Sequence, residues 1–481
     1  MEPKDLVLSA CDLARSRGAS YADCRFEEME DESLTVLGMT PEGISRTASR
    51  GVGVRVLVEG AWGYAATPET DKDSLKREVE KALEIAKASA KLQKEVVHLA
   101  PLGKVAGTHT TAIEKDPFTV PLSEKASFLS HLNELIQKVK RVTKATATAE
   151  FHRTRTWFAS TEGSEIEQTI YQSGAGIEAT AMKSRREIGT RSFPQGGGQF
   201  ETRGYELLGL LAMERECQRI GEEAVALLSA KDCFPDITIL ILDGPAVSLI
   251  IHESIGHPLE LDRVFGAEKN FSGTSFATTD KLGKLKYGSD LVTVTADATS
   301  PFGLGTFGYD DEGVPAQRVE LIKNGLLAGY LTNREMAAKI GRQSTGAMRA
   351  QGWQNLPLIR MTNINLLPGS SSLEKLIAET DHGILMLGNS SWSIDDRRES
   401  FKMGCEIGYE IHGGKLGAMV KNPVYSRNTV EFWNALDGIA GEREWKVWGT
   451  PSCGKGQPGQ NMRTGQGAAP CRFRKVKVGG T

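Results

Sequence analysis

Between residues 248 and 264 the chain reads SLIIHESIGHPLELDRV, in which His252, Glu253 and His257 form an H-E-x-x-x-H string. Imidazole nitrogens bind transition metals, and a carboxylate beside a ligand can carry protons. The familiar zinc-binding string is H-E-x-x-H, with both histidines on one helix face. Here one more residue intervenes. On an ideal helix, positions i and i+4 lie about 40° apart, whereas i and i+5 lie about 140° apart, too far round to share an ion. The backbone must therefore deviate. A π-bulge would realign the rings. So would unwinding after Ile255, because Gly256 permits unusual φ/ψ and Pro258 cannot donate to the carbonyl of Ser254.

In a metallopeptidase the glutamate after the first ligand takes a proton from metal-bound water and passes it to the leaving amine. The apolar run Val247–Ile251 just before the string supplies the burial such a site needs. A catalytic zinc has three protein ligands and one open position, so a third ligand must come from elsewhere. The candidates by chemistry are Glu260, Asp262, Cys405, His412 and Cys453. Cys453 lies in GTPSCGKG (449 to 456), a Gly/Pro-rich stretch beside a predicted strand, and such a loop can bring a thiolate to a metal. The same stretch nearly spells a phosphate-binding GxxxxGK[ST] loop. It fails because residue 456 is glycine and because QPGQNMRTGQGAAP after it cannot open a helix.

These residues need elements to hold them. Leu6, Ala10, Leu13 and Ala14 before Gly18 predict an amphipathic helix, and 50 to 67 predicts a strand hairpin. Helices are predicted over 73–91, 121–142 and 205–230, and strands broken by glycine turns over 160–182. KDCFPD (231 to 236) breaks the pattern. DITILILDG then reads as a buried strand leading into the helix that carries the histidines. From about residue 290 short strands dominate, with NG and GG steps at hairpin turns, and CRFRKVKVGGT reads as a closing strand. The expectation is an α+β chain. An N-terminal domain of antiparallel strands and helices spans 1–230, and a β-rich C-terminal domain carrying the metal-site helix spans 231–481.

Composition sets the outer bounds. The 481 residues carry a formal net charge of −3, with 40% hydrophobic and 25% charged residues. No basic surplus points to nucleic acid, and no apolar run approaches the roughly 20 residues of a membrane span. The N-terminus lacks a signal peptide's apolar stretch, and seven cysteines without a CxxC pair fit a reducing compartment, so a cytoplasmic location is expected.

With these residues in view, the sequence resembles the TldD/PmbA family of metallopeptidases, on the side that keeps the zinc motif. HESIGHPLELD resembles the family's HExxxH-x-x-E-x-D stretch; Pro258, Leu259 and Leu261 stand where many relatives have glycines. GTSFA, YDDEGVP, LIKNGLLAGYL, LPLIRMTNINLLPG, SCGKGQP and KVKVGGT resemble later blocks in order, and GVGVRVLVEGAWGYAA and GAGIEA resemble the N-terminal part. The resemblance implies a Zn2+ peptidase in which His252, His257 and Cys453 bind the metal and Glu253 is the general base and acid. It also implies peptides or unfolded segments as substrates, and a homodimer or a heterodimer with a PmbA-like subunit. Glu260 and Asp262 are expected either behind the ligands, orienting a histidine N–H, or as solvated acids. Cys405 and His412 are taken as structural. Two rival functions follow from the same residues. One is a non-catalytic binding partner whose metal is closed off by a fourth protein ligand; the other is a hydrolase of a non-peptide bond.

Overall fold

The computed structural model describes residues 2–479. Its first half is an eight-stranded sheet in the order β3-β2-β1-β5-β6-β4, with β7 and β8 also on β6. The strands are β1 (Tyr21–Leu37), β2 (Thr40–Val58), β3 (Ala61–Thr67), β4 (Ala106–Thr110), β5 (Val142–Ser160), β6 (Glu165–Ser184), β7 (Glu187–Phe193) and β8 (Gln199–Glu201). All pairs are antiparallel except β4 with β6. The alternation along β1 sets the layers. Ala22, Cys24, Phe26, Leu34 and Val36 pack beneath helices α1 (Pro3–Ser16), α2 (Lys72–Ala90), α3 (Leu122–Gln137) and α5 (Cys217–Leu227), the short α4 (Leu207–Leu210) preceding α5. Asp23, Arg25 and Glu27 point to the opposite face and meet the second half of the chain. There Arg25 pairs with Asp311 at 3.1 Å, and Arg55 bridges Asp23 and Glu312.

Two local expectations fail for physical reasons. The predicted helix over 205–230 is interrupted: Ala212 sits at φ +50°, a short 3-10 turn follows, and α5 begins only at Cys217. In the stretch 160–182 the expected glycine turn is found at Gly163 (φ +89°), between β5 and β6, but β6 then runs through Gly174 and Gly176 without a turn. A side chain at Gly174 would fall 1.8 Å from the Phe200 ring, and one at Gly176 would meet the Gly197 carbonyl at 2.7 Å. Those glycines serve close packing on a continuous strand.

The second half follows β9 (Lys231–Asp232) and β10 (Asp236–Leu242). β10 lies inside a ten-stranded mixed sheet, parallel to His382–Leu387 and antiparallel to Cys471–Gly479. From β10 the chain enters α6 (Gly244–Ile251), capped by the Asp243 carboxylate, which accepts the Ala246 N–H at 3.0 Å. α6 packs against a six-stranded sheet that contains the hairpin Lys446–Lys455 and Gln460–Ala468. Every α6 residue but Leu249 is buried, as its almost unbroken apolar sequence requires. Among the described residues no helix is long and apolar enough to cross a membrane.

Candidate metal centre

The helix carrying the histidines changes form where the spacing demands it. After α6, His252–Gly256 is a π-helical turn, and the His257 N–H donates to the His252 carbonyl, an i to i+5 bond between the two histidines. The rings come to 4.9 Å between centroids, nearly perpendicular. Pro258 follows in a short 3-10 turn. The Ser254 carbonyl, which Pro258 has no N–H to serve, accepts the Tyr287 hydroxyl at 2.5 Å instead. Gly256 has ordinary right-handed dihedrals, contrary to the expectation that it supplies unusual ones. What requires glycine there is Met361, whose Sδ lies 2.1 Å from where a Cβ would stand.

Cys453 completes the cluster from far along the chain. It sits on the strand Lys446–Lys455 itself, not in a loop, opposite Met462 and just past a register shift that begins at Thr450. Its Sγ lies 3.5 Å from His257 Nε2, and the ligand atoms of His252, His257 and Cys453 all fall within 4.8 Å of one another. All three residues are buried. Arg360 braces the hairpin by donating to the carbonyls of Cys453 and Gln460.

The charges in this pocket act on one another. Burial alone would raise the Cys453 thiol, but His252, His257 and Arg360 outweigh it and hold the group well below its ordinary range. Burial depresses His257 strongly, whereas the neighbouring thiolate lifts His252 despite burial. The resulting thiolate is the form that binds a metal. His252 Nδ1 is buried without a hydrogen-bond partner among the described residues. Two imidazoles and a thiolate converging in one buried pocket suit a borderline-soft divalent ion.

Behind His257 lies a layer of acids. Glu260 Oε2 is 2.9 Å from His257 Nδ1 and 3.3 Å from Lys455 Nζ. Lys455, fully buried, also reaches Asp262 at 2.7 Å and Glu268 at 3.7 Å. Arg263 pairs with Glu268 at 3.0 Å. Burial pushes the Asp262 and Glu268 carboxyls upward against the pull of Lys455. Of the candidate third ligands, Cys453 alone joins the two histidines in the converging group. Glu260 and Asp262 stand behind them. Cys405 is buried elsewhere, its N–H on the Pro423 carbonyl, and His412 is exposed on another strand, 3.2 Å from Glu410.

Two residues of the site were not singled out from sequence. Lys455 follows Cys453 by two positions and so shares its side of the strand. Arg398 forms a buried ion pair with Glu253 across 145 positions, a tertiary contact without any local signal.

The C-terminal domain of PmbA/TldA metallopeptidases matches residues 237–480, their first domain matches 22–86, and their central domain matches 115–231. A metalloprotease of Methanothermobacter thermautotrophicus is 30% identical over 96% of this chain and 96% of its own. One of Methanocaldococcus jannaschii is 29% identical over 94% and 95%. A zinc metalloprotease TldD homolog of Saccharolobus solfataricus is 25% identical over 97% and 98%. Among solved structures, a proposed modulator of a DNA gyrase from Thermotoga maritima superposes with a TM-score of 0.76 at 20% identity, covering 98% of this chain and 99% of that one. TldE from Thermococcus kodakarensis gives 0.71 at 17%, covering 99% of each.

Proposed function

Because the chain belongs to the PmbA/TldD metallopeptidase family, we propose that His252, His257 and Cys453 hold a Zn2+ ion and that Glu253 is the general base and acid of peptide-bond hydrolysis. The observation that carries this reading is the convergence of three buried donor atoms within 4.8 Å, with a carboxylate on the adjacent residue. An ion held there supplies Lewis acidity, polarising the scissile carbonyl and making water more acidic. The chain's own residues do the rest. Glu253 takes a proton from the attacking water and returns it to the departing amine nitrogen. Glu260, accepting from His257 Nδ1, fixes that ring with Nε2 turned to the thiolate. Lys455 holds Glu260 in turn.

The substrates in this reading are peptides or unfolded segments, and a second subunit, a further copy or a PmbA-like chain, completes the assembly. The units in this reading are 1–230 and 231–481; the matches support the boundary, ending at 231 and resuming at 237, and divide 1–230 further between 86 and 115. A structural metal in a binding partner would call for a fourth protein ligand. Among the described residues the group able to hold an ion has three members, which favours the catalytic reading.

The test is cleavage of a pool of unstructured peptides, read by mass spectrometry, with zinc-loaded wild type and Glu253→Gln side by side. New termini from wild type alone are expected. Equal cutting by both would remove Glu253 from its role, and silence from both would favour the binding-partner reading.

A further inference from the structure

Arg398 is a buried cation that the proposed chemistry leaves without a task. It lies in the turn between Ser391–Ile394 and Ser400–Gly404, at φ +63°. Glycine, or sometimes asparagine, adopts that left-handed conformation cheaply, and a long side chain does not. The turn is anchored on three sides. Asp395 accepts the N–H groups of Arg397 and Glu399. The carbonyls of Asp396 and Arg397 accept the N–H groups of Thr274 and Phe276, from the same loop whose Ser275 hydroxyl holds the Pro258 carbonyl at 2.7 Å. The Arg398 carbonyl accepts the Thr429 hydroxyl at 2.7 Å. The frame thus holds an arginine in a conformation that favours glycine, and sends its side chain to the residue next to a metal ligand.

The guanidinium has spare capacity once it arrives. It carries five N–H donors. One nitrogen, Nη1, donates to Glu253 Oε2, while Nε is buried without a partner among the described residues. Only 9% of Arg398 is exposed. Burial, with Arg263 nearby, holds the guanidinium below its ordinary range even though Glu253 pulls the other way. A permanent clamp on the catalytic carboxylate would oppose proton uptake by Glu253. A cation in this place is better matched by an oxygen that arrives with the substrate.

We propose that Arg398 is a substrate-binding residue whose guanidinium takes up a negatively charged substrate oxygen beside the metal ligands. This rests on the reading of the site as a peptidase centre. Two substrate oxygens carry that charge: the C-terminal carboxylate of a short peptide, and the oxygen that becomes negative as water adds to the scissile carbonyl.

Zinc-loaded wild type and Arg398→Gly separate them, each given one peptide as the free acid and as the C-terminal amide, with bound zinc and thermal midpoint measured on both proteins. Glycine suits the left-handed backbone, so Arg398→Gly is expected to fold and to keep its zinc. Its kcat/KM is expected to fall about 100-fold. A loss in KM confined to the free acid assigns the guanidinium to the terminal carboxylate. An equal loss in kcat on both peptides assigns it to the developing oxyanion. Added methylguanidine should restore part of the lost rate in either case. Cleavage by Arg398→Gly within twofold of wild type on both peptides overturns the proposal while leaving the peptidase reading intact, and so does loss of zinc from the variant, which would make Arg398 structural. No cleavage by wild type overturns both.

Discussion

Glu260→Gln tests whether the acids behind His257 serve the metal. The substitution leaves an oxygen 2.9 Å from His257 Nδ1 but removes its charge. A hydrogen bond to a charged acceptor is worth about 1.5–3 kcal/mol, against about 0.5–1.5 for a neutral pair. The difference, about 1–1.5 kcal/mol, predicts roughly tenfold weaker metal binding, the lower end of the 10- to 100-fold range usual when a ligand loses its supporting partner. Stability should change little. Glu260, Asp262 and Glu268 set three carboxylates against two cations, Lys455 and Arg263, so removing one negative charge brings the group into balance. Lys455 keeps Asp262 at 2.7 Å. Competition for Zn2+ against a fluorescent chelator measures the affinity, and urea denaturation of the same samples measures the fold. Affinity within twofold of wild type would refute the reasoning. A loss of several kcal/mol in stability would refute it equally, because it would mean that the acids hold the structure together and not the ion.

Cys453→Ala should abolish stoichiometric zinc binding with the fold retained, as read by metal analysis after gel filtration; undiminished binding would pass the third position to a carboxylate. Tyr287→Phe should cost about 1–3 kcal/mol, because the buried Ser254 carbonyl then has neither a hydroxyl nor an N–H to accept. Pro258→Ala restores a backbone N–H four residues on, so the Tyr287→Phe penalty should shrink by about 1 kcal/mol in that background. Additive effects in denaturant titrations would show that the hydroxyl does not stand in for the missing N–H.

How far the sequence reveals this arrangement depends on how local each cause is. The H-E-x-x-x-H spacing demands a backbone deviation, and the π-turn at His252–Gly256 meets it, because angular spacing on a helix follows from residue count alone. Helix α2 and the hairpin of β2 and β3 are legible for the same reason: their apolar periodicity is local. The break at Ala212 has no such mark, since neither glycine nor proline stands there. Gly174 and Gly256 look like points of backbone freedom, yet they are places where Phe200 and Met361 come close, and nothing adjacent in sequence announces those neighbours. Cys453 looks like a loop residue because glycine and proline surround it, whereas a register shift absorbs the irregularity and the strand continues. The contact between Arg398 and Glu253 exists only after the sheets have assembled.

The depth of the cluster has a bearing on time. His252, His257 and Cys453 are 3%, 4% and 2% exposed, so little of any ligand side chain meets solvent. Release of an ion, or entry of a peptide, would be eased when the chain around the cluster parts. The ladder of the hairpin is already interrupted between Thr450 and Cys453, and a seam of that kind is where transient opening begins. The lifetime of a bound ion would then depend on how often the protein opens there. A change that makes entry easier for peptides would then also shorten the hold on an ion.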